Sequence, residues 1–217
     1  MDNLFNNKDL LKQALTHRSW VNENSVNNGT NERLEFLGDA ILEFIVSKEI
    51  YTRFPKEEEG YLTSLRANLV NTKNLSTVAT KLGIGDLLFL SKGEIDGGGR
   101  TNQSLLADTV EAIIGALFID QGIDASEKFI RENILIDVDT KANSPLKDPK
   151  SLLQETVQAQ GLQAPKYQVV SEDGPDHNKE FTVAVVIDGK ETAKGKGKSK
   201  SEAEQDAATN ALENMVR

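Results

Sequence analysis

The chain has 217 residues, enough for two modest domains, and its 38% hydrophobic and 27% charged content excludes a fibrous or disordered polymer. It contains no cysteine and two histidines, His17 and His177, which excludes disulfides, thiolate metal sites and cysteine nucleophiles. The formal net charge of −9 means that any nucleic-acid partner must be held by local basic patches rather than by the total.

No apolar run reaches the roughly 18 residues needed to span a bilayer. Residues 1–7 lack the basic and apolar parts of a signal peptide, so no membrane partner is expected and a reducing cytoplasm is the expected compartment. Residues 1–136 read as helix almost throughout. A first helix is expected over 9–15, and the Asn-rich stretch 22–31 reads as a loop because Asn and Gly favour turns. A long helix should run over 32–51 and end at the Phe54-Pro55 step. Another, with breaks, covers 61–82 and stops at Gly83-Ile84-Gly85. The triplet Gly97-Gly98-Gly99 reads as a mobile loop before a helix from 101 or 102 to 120. Gly122 ends that helix, and 125–133 forms the next.

Residues 137–147 are polar, include Pro145 and read as a flexible linker. Beyond them the pattern changes to a helix at 149–160, strands at 167–171, 181–187 and 191–197, and a helix at 201–215. The middle strand is rich in β-branched residues, and Asp188-Gly189 supplies a two-residue hairpin turn. The order is α-β-β-β-α, with both helices able to cover one face of the sheet. Within it, residues 190–200 hold five lysines and one glutamate. That block is either a solvated Lys/Gly loop or an anion-binding surface.

Two helices carry carboxylates in register. In residues 31–40, Glu32, Glu35 and Asp39 fall within about 60° of one another, with Leu34, Leu37, Ile41, Phe44 and Ile45 on the opposite face. A solvated acidic face would look the same, but the Gly38-Asp39 pair is locally unfavourable inside a helix and hints at another reason for these residues. In the second helix Asp108 and Glu111 lie one turn apart on one face, while Val110, Ile113, Ile114 and Leu117 point the other way. Carboxylates on so apolar a helix repel each other and are costly to desolvate unless a cation lies between them. If the two helices face each other, Glu35, Asp39, Asp108 and Glu111 converge as an oxygen-ligand metal site suited to Mg²⁺ or Mn²⁺.

The stretch Glu32-Arg-Leu-Glu-Phe-Leu-Gly-Asp-Ala40 resembles the signature of the ribonuclease III catalytic domain. Further matching pieces follow in order: Ala14-Leu15-Thr16-His17-Arg18-Ser19, Glu59-Gly60 with Leu65-Arg66-Ala67-Asn68-Leu69-Val70, Lys92-Gly93-Glu94, and Ser104-Leu105-Leu106-Ala107-Asp108 through Glu111-Ala112. The C-terminal segment is similar to a double-stranded RNA-binding domain. The resemblance implies an all-α N-terminal endonuclease domain over 1–136 and a small α+β double-stranded RNA-binding domain over 148–217, joined by the linker. It assigns Glu35, Asp39, Asp108 and Glu111 to the metal cluster, matches Glu32 to a further acidic position, and matches Glu59 to an acidic residue near the cleavage cleft at a dimer interface. His17 reads as a hydrogen-bonded structural residue, and Arg66 as a partner of either carboxylates or phosphate.

The same resemblance implies metal-activated water attacking double-stranded RNA, 5′-phosphate and 3′-hydroxyl products with short 3′ overhangs, a homodimer, and no organic cofactor. Processing of ribosomal RNA precursors is the corresponding expectation. A reader of A-form RNA needs a polar helix face, a polar loop and lysines for the phosphates between. Ser151, Gln154, Glu155 and Gln158 supply the first, the loop 174–179 with His177 and Lys179 the second, and Lys196, Lys198 and Lys200 the third. Ser201 stands where such domains commonly have a second lysine. Residues 148–217 hold 9 Lys/Arg against 12 Asp/Glu, so weak and salt-sensitive binding is expected.

Overall fold

The computed structural model describes residues 1–24, 29–175 and 179–216. The chain divides into two compact units, Met1–Leu146 and Lys147–Arg217. Among the described residues no helix is long and apolar enough to cross a membrane.

The first unit is helical. Its elements are α1 (Lys8–Ala14), α2 (Arg18–Glu23), α3 (Glu32–Arg53), α4 (Glu59–Val70), α5 (Thr72–Lys81), α6 (Ile84–Leu87), α7 (Lys92–Asp96), α8 (Gln103–Gln121), α9 (Ile123–Asn133) and α10 (Val138–Ala142). Side-chain caps set several of the starts. Asn7, Asn71, Ser91 and Asn102 each accept a hydrogen bond from a backbone N–H of the first turn. The unit is built around α8, whose residues from Ala112 to Leu117 are all buried, with α1, α3, α5 and α9 packed about it.

Three expectations change here. Residues 22–23 belong to α2, and of the expected Asn-rich loop residues 25–28 lie outside the described residues. Of the glycine triplet, Gly97 and Gly98 form an exposed turn after α7, and Gly99, buried against Glu94, opens a 3-10 turn. The first half of the expected linker is α10, because Val138 finds a slot in the core and Tyr61 Oη donates to the Ala142 carbonyl at 2.9 Å.

The second unit comprises α11 (Pro149–Ala159), β1 (Lys166–Asp173), β2 (Glu180–Ile187), β3 (Lys190–Gly197) and α12 (Lys200–Val216). The strands form an antiparallel sheet in the order β1-β2-β3. Asp188 and Gly189 both have positive φ, 49° and 75°, as the tight turn between β2 and β3 requires. Leu153 and Val157 of α11, Val185 and Ile187 of β2, and Ala207, Ala208 and Ala211 of α12 make one apolar core. The glycines of the Lys-rich block are inward positions of β3, not loop residues. A Cβ on Gly197 would come within 2.5 Å of the Ala203 nitrogen, so α12 can lie on the strand only where side chains are absent.

Asp148 fastens α11. It accepts from the Ser151 backbone N–H at 3.2 Å, from Ser151 Oγ at 2.6 Å and from Gln205 Nε2 at 2.9 Å. These bonds, from Ser151 first, hold its carboxyl below the usual range. Asp148→Ala is expected to cost about 1 kcal/mol of stability in this unit. Because the folded-state pKa is depressed, the difference should be present at neutral pH and close as the pH falls through the folded value. Thermal melts at pH 7 and below pH 3 check this, and equal melting temperatures at pH 7 would overturn it.

Candidate metal centre and nucleic-acid face

The long helices α3 and α8 cross at a pair of glycines. A Cβ on Gly38 would overlap the Glu111 carbonyl oxygen and lie 2.9 Å from the Gly115 nitrogen. One on Gly115 would overlap the Leu34 carbonyl oxygen and lie 3.1 Å from the Gly38 nitrogen. The two backbones therefore touch, and carboxylates within about two turns of the crossing meet across it. Glu35 from α3 and Asp108 and Glu111 from α8 each offer an oxygen within 4.8 Å of the others.

All three side chains are half-buried, and the site penalises their charge. Burial, then Asp39, Asp108, Glu35 and Glu43, push the Glu111 carboxyl up to about 8. Burial first, then Asp108, Glu32 and Asp39, raises Glu35. Asp108 is raised by burial and partly relieved by His17 and by its own backbone N–H. Two arginines pair with carboxylates that flank the triplet: Arg18 lies 3.8 Å from Glu32, and Arg66 lies 2.8 Å from Glu43. A crowded carboxylate triplet, only partly relieved by His17, fits a hard divalent cation, which takes oxygen ligands and removes the repulsion.

The other predicted residues fall around this triplet. Asp39 is exposed and lies outside it, one turn along α3, though its charge still acts on Glu35 and Glu111. Glu32 is exposed, accepts from Thr30 Oγ1 at 2.9 Å, and lines a cavity of about 400 Å³ with Glu35, Asp108, His17, Arg18 and Thr109. His17 caps α2: its Nδ1 accepts from the Ser19 N–H at 3.3 Å and lies 2.8 Å from Ser19 Oγ. Arg66 pairs with a carboxylate, that of Glu43, and also donates to Ser47 Oγ at 3.0 Å. Glu43 itself was missed, although its spacing of four from Asp39 continues the acidic row of α3.

Glu59 is not brought to the triplet. It accepts from Thr63 Oγ1 at 2.8 Å and lines a separate groove of about 570 Å³ with Phe44, Tyr51, Leu62 and Arg66. Phe44 was expected in the core, yet it is 60% exposed in that groove, and Phe36, beside Glu35, is 81% exposed. Phe36, Phe44 and Tyr51 lie within about 80° of one another on α3, forming a second apolar stripe away from the core.

On the second unit, Ser151, Gln154, Glu155 and Gln158 are all exposed along α11. Glu155 is held by Lys147 at 2.6 Å. Lys196 and Lys200 are exposed and ion-paired, and the backbone N–H of Lys198 donates to Glu202 at 2.9 Å. Lys179 borders the β1–β2 loop, whereas His177 lies outside the described residues.

Comparison with known proteins agrees with this division. The family model described as Ribonuclease-III-like matches residues 7–138, and that of the Double-stranded RNA binding motif matches residues 149–215. Ribonuclease 3 of Geobacillus kaustophilus is 48% identical over 212 residues, covering 97% of this chain and 86% of that protein. Ribonuclease 3 of Enterococcus faecalis is 44% identical over 213 residues, covering 98% of this chain and 93% of that protein. A solved nuclease domain of ribonuclease III from Campylobacter jejuni, described for flexibility in a region involved in dimer formation, is 39% identical with a TM-score of 0.56. That match covers 62% of this chain and 96% of the other.

Proposed function

Because the chain belongs to the ribonuclease III family, whose members are metal-dependent nucleases, we propose that Glu35, Asp39, Asp108 and Glu111 hold Mg²⁺, with Mn²⁺ as a substitute, and that this centre cuts double-stranded RNA. The chain is a double-strand-specific endoribonuclease by its family and its RNA-binding motif. The observation that carries the metal reading is the convergence of Glu35, Asp108 and Glu111 at the glycine crossing, with their charge penalised there.

When bound, the ion supplies an acidic water and offsets the negative charge that builds on the scissile phosphate. Glu35, Asp108 and Glu111 fix its place from two rigid helices, so the reacting phosphate meets a preorganised site. Asp39 adds negative charge at the same end of the site and completes the ligand set. Glu32, held by Thr30, keeps a further carboxylate one turn away. Attack by water with departure of the 3′ oxygen leaves 5′-phosphate and 3′-hydroxyl ends. Processing of ribosomal RNA precursors in the cytoplasm is the biological role in this reading.

Long duplex RNA incubated with the protein should be cut only with the divalent ion present, and the new 5′ ends should accept a kinase label only after phosphatase treatment. Absence of cutting across a range of salt and metal conditions would sink the proposal, as would 5′-hydroxyl products.

The working unit in this proposal is a homodimer, each copy cutting one strand to leave short 3′ overhangs. The exposed Phe36 and the groove lined by Phe44 and Tyr51, which share its stripe of α3, suit a two-fold contact in which one patch meets its own copy, and exposed aromatic area of this kind marks interaction surfaces. That contact also brings Glu59, on the groove wall, near the interface. Phe36→Asp is expected to convert a dimer into a monomer in sedimentation at micromolar concentration. A dimeric mass for the variant would overturn this surface, and a monomeric mass for the parent would overturn the dimer.

In this reading the exposed polar face of α11 in the second unit, Ser151, Gln154, Glu155 and Gln158, meets 2′-hydroxyls in one minor groove of the duplex. Lys179, Lys196, Lys198 and Lys200 take the neighbouring phosphates, and His177 is assigned to the loop contact.

A further inference from the structure

We propose that Glu172 and Glu180 are built-in competitors of phosphate that set how tightly, and how selectively, the second unit grips duplex RNA. The inference rests on the reading of Lys196 and Lys200 as phosphate contacts. Lys200 Nζ lies 3.1 Å from Glu172 Oε1, with its ammonium 5.6 Å from the centre of the Phe181 ring. Lys196 Nζ lies 3.5 Å from Glu180 Oε2.

Strand register sets the place of both glutamates. Glu172 stands opposite Phe181, the ring over which Lys200 is held. Lys196 stands opposite Thr182, which makes Glu180, two residues earlier on β2, its diagonal neighbour on the same face. The partners are therefore fixed on the sheet, at the base of the β1–β2 loop, and do not depend on loop conformation.

Each pair is open to solvent, with side-chain exposures of 67% and 57% for Lys196 and Glu180 and 58% and 39% for Lys200 and Glu172. Pairs of this kind are weak, so a phosphate can displace the carboxylate. The displaced glutamate then sits beside the incoming phosphate and repels it. Attraction by backbone phosphate alone is thereby reduced. Binding falls back on the α11 contacts, which a single strand cannot satisfy at A-form spacing. The excess of 12 acidic over 9 basic residues in 148–217 gives the same result over the whole unit.

The test uses the full chain in EDTA, which prevents cutting, with a fluorescent duplex RNA and a single strand of the same length. Glu172→Gln and Glu180→Gln should each raise duplex affinity about two- to fivefold at low salt. Single-strand affinity should rise by at least as much, so the duplex preference does not grow, and the gain should shrink as salt is added. Lys196→Gln and Lys200→Gln distinguish the two ways of failing. If both lysine variants bind duplex like the parent, the phosphate-contact reading falls and the inference with it. If they bind more weakly while the glutamine variants bind no tighter than the parent, the reading stands and the inference alone is overturned. Unchanged melting temperatures in the glutamine variants confirm that a gain comes from charge.

Discussion

Glu111→Gln is expected to reduce cleavage of duplex RNA by about a hundredfold or more while duplex binding persists. Substitutions that only support a metal ligand commonly cost 10- to 100-fold, so removing a direct ligand should cost at least the upper figure. Glu111 is the residue for this test because its charge is the one most strongly opposed by the site. Burial, with Asp39, Asp108, Glu35 and Glu43, raises its carboxyl from about 4.5 to about 8. Without metal at pH 7 it is therefore mainly neutral, and glutamine, of the same shape and also neutral, should leave the fold intact. Wild-type cleavage rates in the variant would remove Glu111 from the centre.

The same shift gives the pH dependence a sign. Below about 4.5 the group is protonated whether the chain is folded or not, and there is no penalty. Between about 4.5 and 8 the unfolded chain releases the proton and the folded chain keeps it, so metal-free stability falls as the pH rises. Above about 8 the penalty is at its full size and constant. The melting temperature of the parent in EDTA should therefore fall relative to Glu111→Gln across this window. Adding Mg²⁺ should restore it, and the gain should grow with pH because binding expels the proton. Parallel melting curves for parent and variant from pH 5 to 8 would contradict this account of the site.

Much of this arrangement can be read from residue order, and the remainder has identifiable physical causes. Periodicity places α3 and α8 within a few residues of their observed ends, because both carry long apolar stripes closed by Pro55 or Gly122. Asp188-Gly189 similarly locates the β2–β3 turn. Short helices such as α6, α7 and α10 leave no such trace, since a helix of one turn depends on its tertiary surroundings. Helical spacing assigns Glu35 and Asp39 to one face but not to one depth. Glu35 lies within 4.8 Å of both Asp108 and Glu111, whereas Asp39, exposed one turn on, stands outside that triplet although its charge still acts on Glu111. Phe44 fails for a related reason. An apolar residue on a helix wheel can face a core or an external groove, and α3 carries both kinds of stripe.

Gly38→Ala is expected to destabilise the first unit by more than about 3 kcal/mol, beyond the usual range for overpacking. A single methyl group is normally harmless or helpful in a helix, where alanine exceeds glycine by about 1 kcal/mol. Considered as an isolated helix, α3 should therefore gain from the change, and the Gly38-Asp39 pair looks like a local defect. The opposite sign follows from the partner helix. The added Cβ would overlap the Glu111 carbonyl oxygen, a backbone atom that cannot turn aside as a side chain can. To admit it, α3 and α8 must separate along a contact that includes Leu34, Ile41, Ile113 and Ile114, all buried. Separation also draws Glu35 away from Asp108 and Glu111, so Mg²⁺ affinity should fall together with stability. Gly115→Ala should act similarly through Leu34. Denaturant unfolding and Mg²⁺ titration of the folded fraction check both effects. A Gly38→Ala protein as stable as the parent would show that this glycine crossing does not hold the carboxylates together.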